Sequence, residues 1–352
     1  MPRWLGLEGD ALSVILVGDV NLRNAKDPRA PFALVQEAFD GADLRFGNCE
    51  GCFADPAVEI PYKPGWFHQD RSTVQALSVA GFDAVGCANN VHYGAEAILE
   101  SLGHLDRLGI LHAGAGADRE AARCPAVLER KGTRFGFLSY TSVFWPIGHV
   151  AGPGQPGVAT IKGHTAYRPH PRIPEMPGAP AITLSWPDEA ELKAMQEDIK
   201  ALRGRVDILT VSCHWGVSGN QDLAAYQVAV GHAAIDAGAD LVIGHHPHVP
   251  QGVEVYSGRA IFYSLGNFIF GWERMGGRRD GLLVHAAVRE RRLTKVSLAP
   301  VWRDEKGRPQ LVSPKGSEGQ GVVRTIEELS RPLKTRLSIE GEEAVVWQRD
   351  GR

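Results

Sequence analysis

The 352-residue chain has no surplus of basic side chains: 38 Lys and Arg stand against 41 Asp and Glu, a formal net charge of −3. A surface built to neutralise phosphate backbones carries the opposite balance, so nucleic acid is not expected as a partner. Long apolar runs are missing as well, since no stretch approaches the roughly 18 to 20 apolar residues that span a bilayer. The opening MPRWLGLEGDALSVILVGDV has an apolar run only from Leu12 to Val17 and lacks the basic start and small-residue cleavage site of a signal peptide. The expectation is a cytoplasmic protein with no membrane segment. Cysteine is scarce and odd in number, five in all, which fits reduced thiols better than a disulfide framework. Cys49 and Cys52 have the spacing of a redox pair or half a zinc site, but no second pair completes the latter. Nothing in the sequence fixes an oligomeric state.

What is present is an ordinary globular composition, 43% hydrophobic, in which strand, loop and helix signals alternate as they do where helices pack on a central sheet. Strands are expected at Leu12 to Val17, Ala42 to Phe46, Ala84 to Cys87, Arg134 to Tyr140, Ile208 to Ser212, Leu241 to Ile243 and Ala260 to Ser264. Helices are expected at Ser72 to Val79, Ala95 to Leu108, Asp188 to Leu202 and Gln221 to Ala237. From Pro146 to Pro187 the chain is dense in Pro and Gly without sustained periodicity. It reads either as an excursion over the active-site face or as a plain insertion. The main domain is placed at residues 1–300, and residues 301–352 form a C-terminal appendage packed on it.

Chemistry gathers where the strands end. Asp19 and Asn21 lie in Gly18-Asp19-Val20-Asn21, and Glu50 in Gly47-Asn48-Cys49-Glu50-Gly51. A third strand runs into Ala88-Asn89-Asn90, a later one into Ser212-Cys213-His214-Trp215-Gly216, and Leu241-Val242-Ile243 into Gly244-His245-His246-Pro247-His248. Strand ends are where ligand loops converge in an α/β sheet, and two carboxylates with several imidazoles suit divalent metals. In an extended segment, His246 and His248 would point the same way, with Pro247 stiffening that geometry.

The order GDVNL, FGNCEG, CANN, SCHWG, then GADLVIGHHPHV with YSLGNF, resembles the CapA-type proteins named for poly-gamma-glutamate capsule synthesis, within the calcineurin-like metallophosphoesterase superfamily. That resemblance implies a four-layer α/β/β/α sandwich, metallophosphatase-like, with a two-metal centre between its sheets. It casts Asp19 as first metal ligand, Glu50 as the acid bridging both metals, Asn90 as the amide ligand, and His214, His246 and His248 as the rest of the set. Two divalent ions (Zn, Mn, Fe, Mg or Ca) would polarise a substrate oxygen and activate water near neutral pH. Asn48 and His245 are placed as groups that orient ligands, or as ligands themselves.

Two departures stand out. Asn21 occupies the third position of the superfamily's Asp-x-His, implying a weaker first metal site or one content with oxygen ligands. Val91 occupies the place of the usual His in Asn-Asn-His, which leaves His92 either as proton carrier, titrating near 6.5, or as cap of the following helix. Around the site, Arg23, Trp215, Tyr263 and Asn267 are candidate substrate-binding residues, although Trp215 and Tyr263 read more readily as core, since aromatics at strand ends usually bury area. Lys63, His68 and the run Gly271 to Arg279 are placed at the entrance. The functional expectation is a metal-dependent hydrolase of a small anionic or peptide-like molecule with an amide, gamma-glutamyl or phosphoester bond. The alternatives are a metal-assisted epimerase and a non-catalytic protein that binds or assembles capsule polymer.

Overall fold

A computed structural model describes residues 11–271 and 278–349. Two sheets stack face to face. The larger, of ten strands, has Leu12–Asn21 between Leu44–Cys49 and Asp280–Arg289. The smaller, of six, has Ile208–His214 between Thr133–Thr141 and Leu241–His245. The period-two alternation of a strand explains the layering: Leu12, Val14 and Leu16 enter the core between the sheets, whereas Ile15 and Val17 join the core on the opposite face. Across the central layer Phe46 stacks on Phe137 with ring centroids 4.6 Å apart. Helices Gln75–Ala80 and Ala95–Arg107 cover the large sheet, and Glu189–Arg203 and Ala225–Ala237 cover the small one. The result is the expected α/β/β/α sandwich.

Two glycines allow the backbone approaches that build the site edge. A Cβ on Gly18 would lie 2.0 Å from the Gly266 carbonyl oxygen, and one on Gly244 would lie 2.0 Å from that of Tyr263. Without side chains there, strand Asn267–Phe270 runs beside Asp19, whose Cα pairs with that of Asn267.

The strands run further than their apolar cores suggest. Leu12–Asn21 continues past Val17 through a bulge at Asp19, because the ladders to both neighbouring strands continue there. The Pro-rich excursion is not structureless either. Gly163–Arg168 and Ile182–Pro187 pair as an antiparallel hairpin, and the Tyr226 N–H of the adjacent helix donates to Ser185 Oγ at 3.3 Å. Five prolines between residues 169 and 180 fill the connection and mask the short strands on either side. Beyond residue 300, Glu343–Gln348 pairs with Arg292–Arg303 in the large sheet, and helix Ser317–Ser330 inserts Val322, Val323 and Ile326 into the inter-sheet core.

Candidate metal centre

The two sheets bring their strand ends to a common edge. From the large sheet come Asp19, within the bulge, Glu50, directly after Leu44–Cys49, and Asn90, in the loop after Ala84–Gly86. From the small sheet come His214 and His245, each the last residue of its strand, with His246 and His248 in the turn that follows. Ligand atoms of Asp19, Glu50 and His248 all lie within 4.8 Å of one another. His248 Nδ1 is 3.4 Å from Asp19 Oδ2, and its Nε2 is 3.7 Å from Glu50 Oε1. The ring centroid of His246 is 4.8 Å from that of His214 and 5.6 Å from that of His248.

A network of neutral amides fixes these groups. Asn48 Nδ2 donates to Asp19 Oδ1 at 2.7 Å and lies 3.3 Å from His214 Nδ1. His214 Nε2 and Asn90 Oδ1 are hydrogen-bonded at 3.1 Å, and Asn267 Oδ1 meets His248 Nδ1 at 2.9 Å. The His246 N–H donates to Asp19 Oδ2 at 3.3 Å. These amides orient carboxylate and imidazole alike, a duty typical of groups that surround a metal's own ligands.

Several buried atoms are left over. Both carboxylate oxygens of Glu50, both ring nitrogens of His245 and Nδ1 of His246 have no hydrogen-bond partner among the described residues. A buried carboxylate that is ionised without hydrogen bonds costs several kcal/mol, and the contact of Glu50 with His248 is a long one at 3.7 Å, so the site suits a cation. Burial pushes its carboxyl up to about 7, against the opposing influence of His248. Burial also holds the imidazoles of His245 and His246 down to about 4 and about 3, and that of His214 well below its ordinary value, the last helped by its histidine neighbours. Neutral imidazole with a free lone pair is the form that binds metal. His248 is the exception: burial opposes its charge, but Glu50 and Asp19 outweigh that and raise it to about 9. Asp19 is lowered, since the bonds and charge of His248 overcome burial. Positive charge is thus drawn to the space between the two carboxylates, and the donor set fits a divalent ion.

Some expectations are corrected by the geometry. His246 and His248 converge, but not as alternate residues of an extended segment: their φ angles are +92° and +60°, a region that costs a non-glycine residue energy and that clusters at functional sites. Asn21 is engaged with backbone, its Nδ2 donating to the Glu50 carbonyl at 2.8 Å and its Oδ1 accepting from the Arg23 N–H at 3.1 Å. Trp215 and Tyr263 belong to the core rather than to a cleft wall. Both are fully buried in the core beneath the outer helices, the Trp215 indole N–H donating to the Tyr263 carbonyl at 2.7 Å and the Tyr263 hydroxyl to Glu254 at 2.6 Å. Asn267 is likewise fully buried, and its amide oxygen is taken up by His248.

Arg23 lies half-buried over the Phe67 ring, 5.4 Å from its centroid, with Nη1 3.4 Å from the Gly65 carbonyl. His68 is buried, not at an entrance; Lys63 is half-buried beside Trp66; residues 272–277 of the run Gly271 to Arg279 lie outside the described residues. His92 is fully buried, with both ring nitrogens unbonded, and burial followed by His68, His112 and His149 pushes it to about 3 rather than 6.5. It does not cap the next helix, whose N-cap is Gly94 without a side-chain bond. Cys49 and Cys52 are free, buried thiols, with the Cys52 thiol 3.9 Å from the Tyr93 carbonyl oxygen.

Two residues escaped the sequence reading. Trp145 donates its indole N–H to the Asn90 carbonyl at 2.7 Å, and Phe270 sets its ring against His248 with centroids 5.0 Å apart. The position of Trp145 at the mouth of the Pro-rich excursion was the available signal; Phe270 carried none beyond its place after Asn267.

The sequence pattern described as bacterial capsule synthesis protein PGA_cap matches residues 5–272. The chain belongs to this family. It is 31% identical over 325 residues to the capsule biosynthesis protein CapA of Bacillus anthracis, covering 87% of this chain and 71% of that one. It is 28% identical over 320 residues to the PGA biosynthesis protein CapA of Bacillus subtilis, covering 85% and 74%. Among solved structures, a phosphatase from Mycoplasma pneumoniae aligns with a TM-score of 0.48 at 14% identity, over 83% of this chain and 94% of that one. A hypothetical protein from Thermus thermophilus aligns with the same TM-score at 17% identity, over 82% and 98%. No helix among the described residues is long and apolar enough to cross a membrane.

Proposed function

We propose that this member of the capsule synthesis family is a metal-dependent hydrolase acting on a small anionic or peptide-like molecule. The observation that carries the reading is the ring of buried, unbonded acceptors around Asp19: both Glu50 oxygens and the neutral imidazoles of His245 and His246. Asp19, Glu50, Asn90, His214, His246 and His248 would hold the ion or ions. A divalent cation there supplies Lewis-acid polarisation of a substrate oxygen. The chain's own part is to orient and to move protons. Asn48 keeps Asp19 facing the site, Asn267 sets the ring of His248, and His245 Nδ1, 3.5 Å from Asp19 Oδ1, is a neutral base beside a carboxylate that would stabilise its protonated form.

His92 is the alternative to His245 as proton carrier, and a pH–rate profile for His92→Gln beside His245→Gln decides between them: the carrier's variant loses one limb and roughly 100-fold in rate. The relatives' names connect those proteins to capsule, PGA and polyglutamine synthesis, so gamma-glutamyl amides belong in the substrate screen with phosphoesters and short peptides. Turnover of one of these by metal-loaded protein supports the reading. Bound metal with no turnover of any class, together with binding of polyglutamate, would assign a binding role instead.

A further inference from the structure

The loop 55–68 is tied on two sides to residues that touch the metal centre. On one side Tyr62 stacks on Trp145 at 5.6 Å and 22°, and Trp145 in turn holds the Asn90 carbonyl. On the other, Trp66 meets Phe270 edge-on at 6.0 Å, and Phe270 meets His248 at 5.0 Å. Between these anchors lies Lys63, its ammonium 3.5 Å from the centroid of the Trp66 ring. It forms no ion pair with a carboxylate among the described residues, yet it sits near enough to Glu50, His214 and His246 to act on all three through its charge.

We infer that Lys63, held on the face of Trp66, is the subsite for an anionic group of the substrate, a carboxylate or a phosphate, carried next to the bond that the metal centre acts on. This rests on the hydrolase reading above. Burial pulls the Lys63 ammonium below its ordinary value, opposed by the charge of Glu50; the indole face beneath it favours the charged form, and its four-carbon stem lies along apolar surface. Once a divalent ion matches the charges of Asp19 and Glu50, Lys63 leaves the mouth positive, a field that favours an anion. The exposed rims of Tyr62 and Ile147, 36% and 68% accessible, offer apolar surface for the portion of the molecule behind that anion. Lys63 is here a specificity residue, since its contact is with the substrate's charge and not with the reacting atoms.

Isothermal titration of metal-reconstituted protein with glutarate and, separately, with inorganic phosphate tests this in the wild type, Lys63→Met and Lys63→Arg, with metal content measured in each. The expected result is equal metal in all three, anion binding weakened about tenfold or more in Lys63→Met, the size of one charge-assisted contact, and largely kept in Lys63→Arg. Whichever of the two anions shows the Lys63 dependence identifies the group. Equal affinity in wild type and Lys63→Met, or no binding of either anion by wild type, overturns the subsite. If no metal binds, the hydrolase reading falls on its own, and the same titrations of metal-free protein still decide whether Lys63 holds an anion.

Discussion

Two buried clusters of histidine and carboxylate, one within the large sheet and one where the strand ends of both sheets meet, differ in one respect. Near the sheet's far edge, Ser13 Oγ and His285 Nε2 are hydrogen-bonded at 3.1 Å, His285 Nδ1 and Glu343 Oε1 at 2.6 Å, and Ser297 Oγ donates to the other Glu343 oxygen at 2.8 Å. Serine, histidine and glutamate in that order resemble a nucleophilic triad, but all are buried and each of these polar atoms is satisfied. Around Asp19 the same residue types leave Glu50, His245 and His246 with unbonded atoms. The satisfied cluster ties the C-terminal strand to the sheet; the unsatisfied one leaves buried ligand atoms open to a cation. Counting partners, rather than recognising residue types, separates structure from function here.

The strongest way to break this contrast is to remove the imidazoles. His246→Ala/His248→Ala protein, grown with added metal, is expected to lose nearly all of the divalent metal carried by the wild type, whereas His285→Ala keeps it. Elemental analysis reads both, and equal, near-zero metal in the wild type and the double variant would remove the metal centre. Next in size is turnover. Glu50→Gln is expected to lose roughly 100-fold or more in rate, the scale on which electrostatic and acid–base contributions are measured. Asn21→Ala should lose much less, because the amide of Asn21 supports the backbone of Glu50 and Arg23. Near-normal turnover by Glu50→Gln rules out its place at the centre.

Stability should move in opposite directions at the two clusters. Glu343→Ala leaves His285 and Ser297 without partners and is expected to cost roughly 2–4 kcal/mol. Glu50→Gln in metal-free protein is expected to gain roughly 1–3 kcal/mol above pH 7, where a carboxyl raised from its ordinary 4.5 to about 7 is charged at a cost to the fold. Denaturant unfolding at pH 8 measures both, and the same sign for both would dissolve the distinction between a satisfied and an unsatisfied cluster.

Much of the site was legible because ligand chemistry is local. Asp19, Glu50, Asn90, His214, His246 and His248 each follow a short β-branched or aromatic run, and the strands do deliver them to one edge. What the sequence hid depends on directions and neighbours. Period two says that a side chain leaves a strand, but not which core it enters, so the sequence leaves Trp215 and Tyr263 between core and pocket, and their burial behind the small sheet assigns them to the core. The turn at His246 and His248 takes positive φ angles that no propensity rule assigns to histidine. Asn21 looked like a weak ligand because hydrogen bonds to distant backbone, here that of Glu50, leave no mark in the sequence.

The smallest effect expected is also the one that links the fold to the mouth of the site. His149 accepts the Trp145 N–H on Nδ1 at 3.0 Å, and its Nε2 is 3.1 Å from the His92 carbonyl; that pairing requires the neutral ring, protonated at Nε2. Burial pushes His149 down to about 4, against the pull of the carbonyls of His92 and Asn89. Since the folded value lies below the unfolded value near 6.5, the unfolded chain takes up a proton first as pH falls, and stability declines from about pH 6.5 down to about 4. The slope approaches about 1.4 kcal/mol per pH unit for one such histidine. Thermal unfolding across that range should show a shallower acid decline for His149→Gln than for wild type, whatever the variant's stability at neutral pH. Because Trp145 holds the Asn90 carbonyl and stacks on Tyr62, its fluorescence in the folded wild type should change near pH 4, where the buried ring itself titrates, and stay level in the variant. Parallel slopes and a pH-independent Trp145 signal would mean that this histidine carries no proton linkage to the cleft wall.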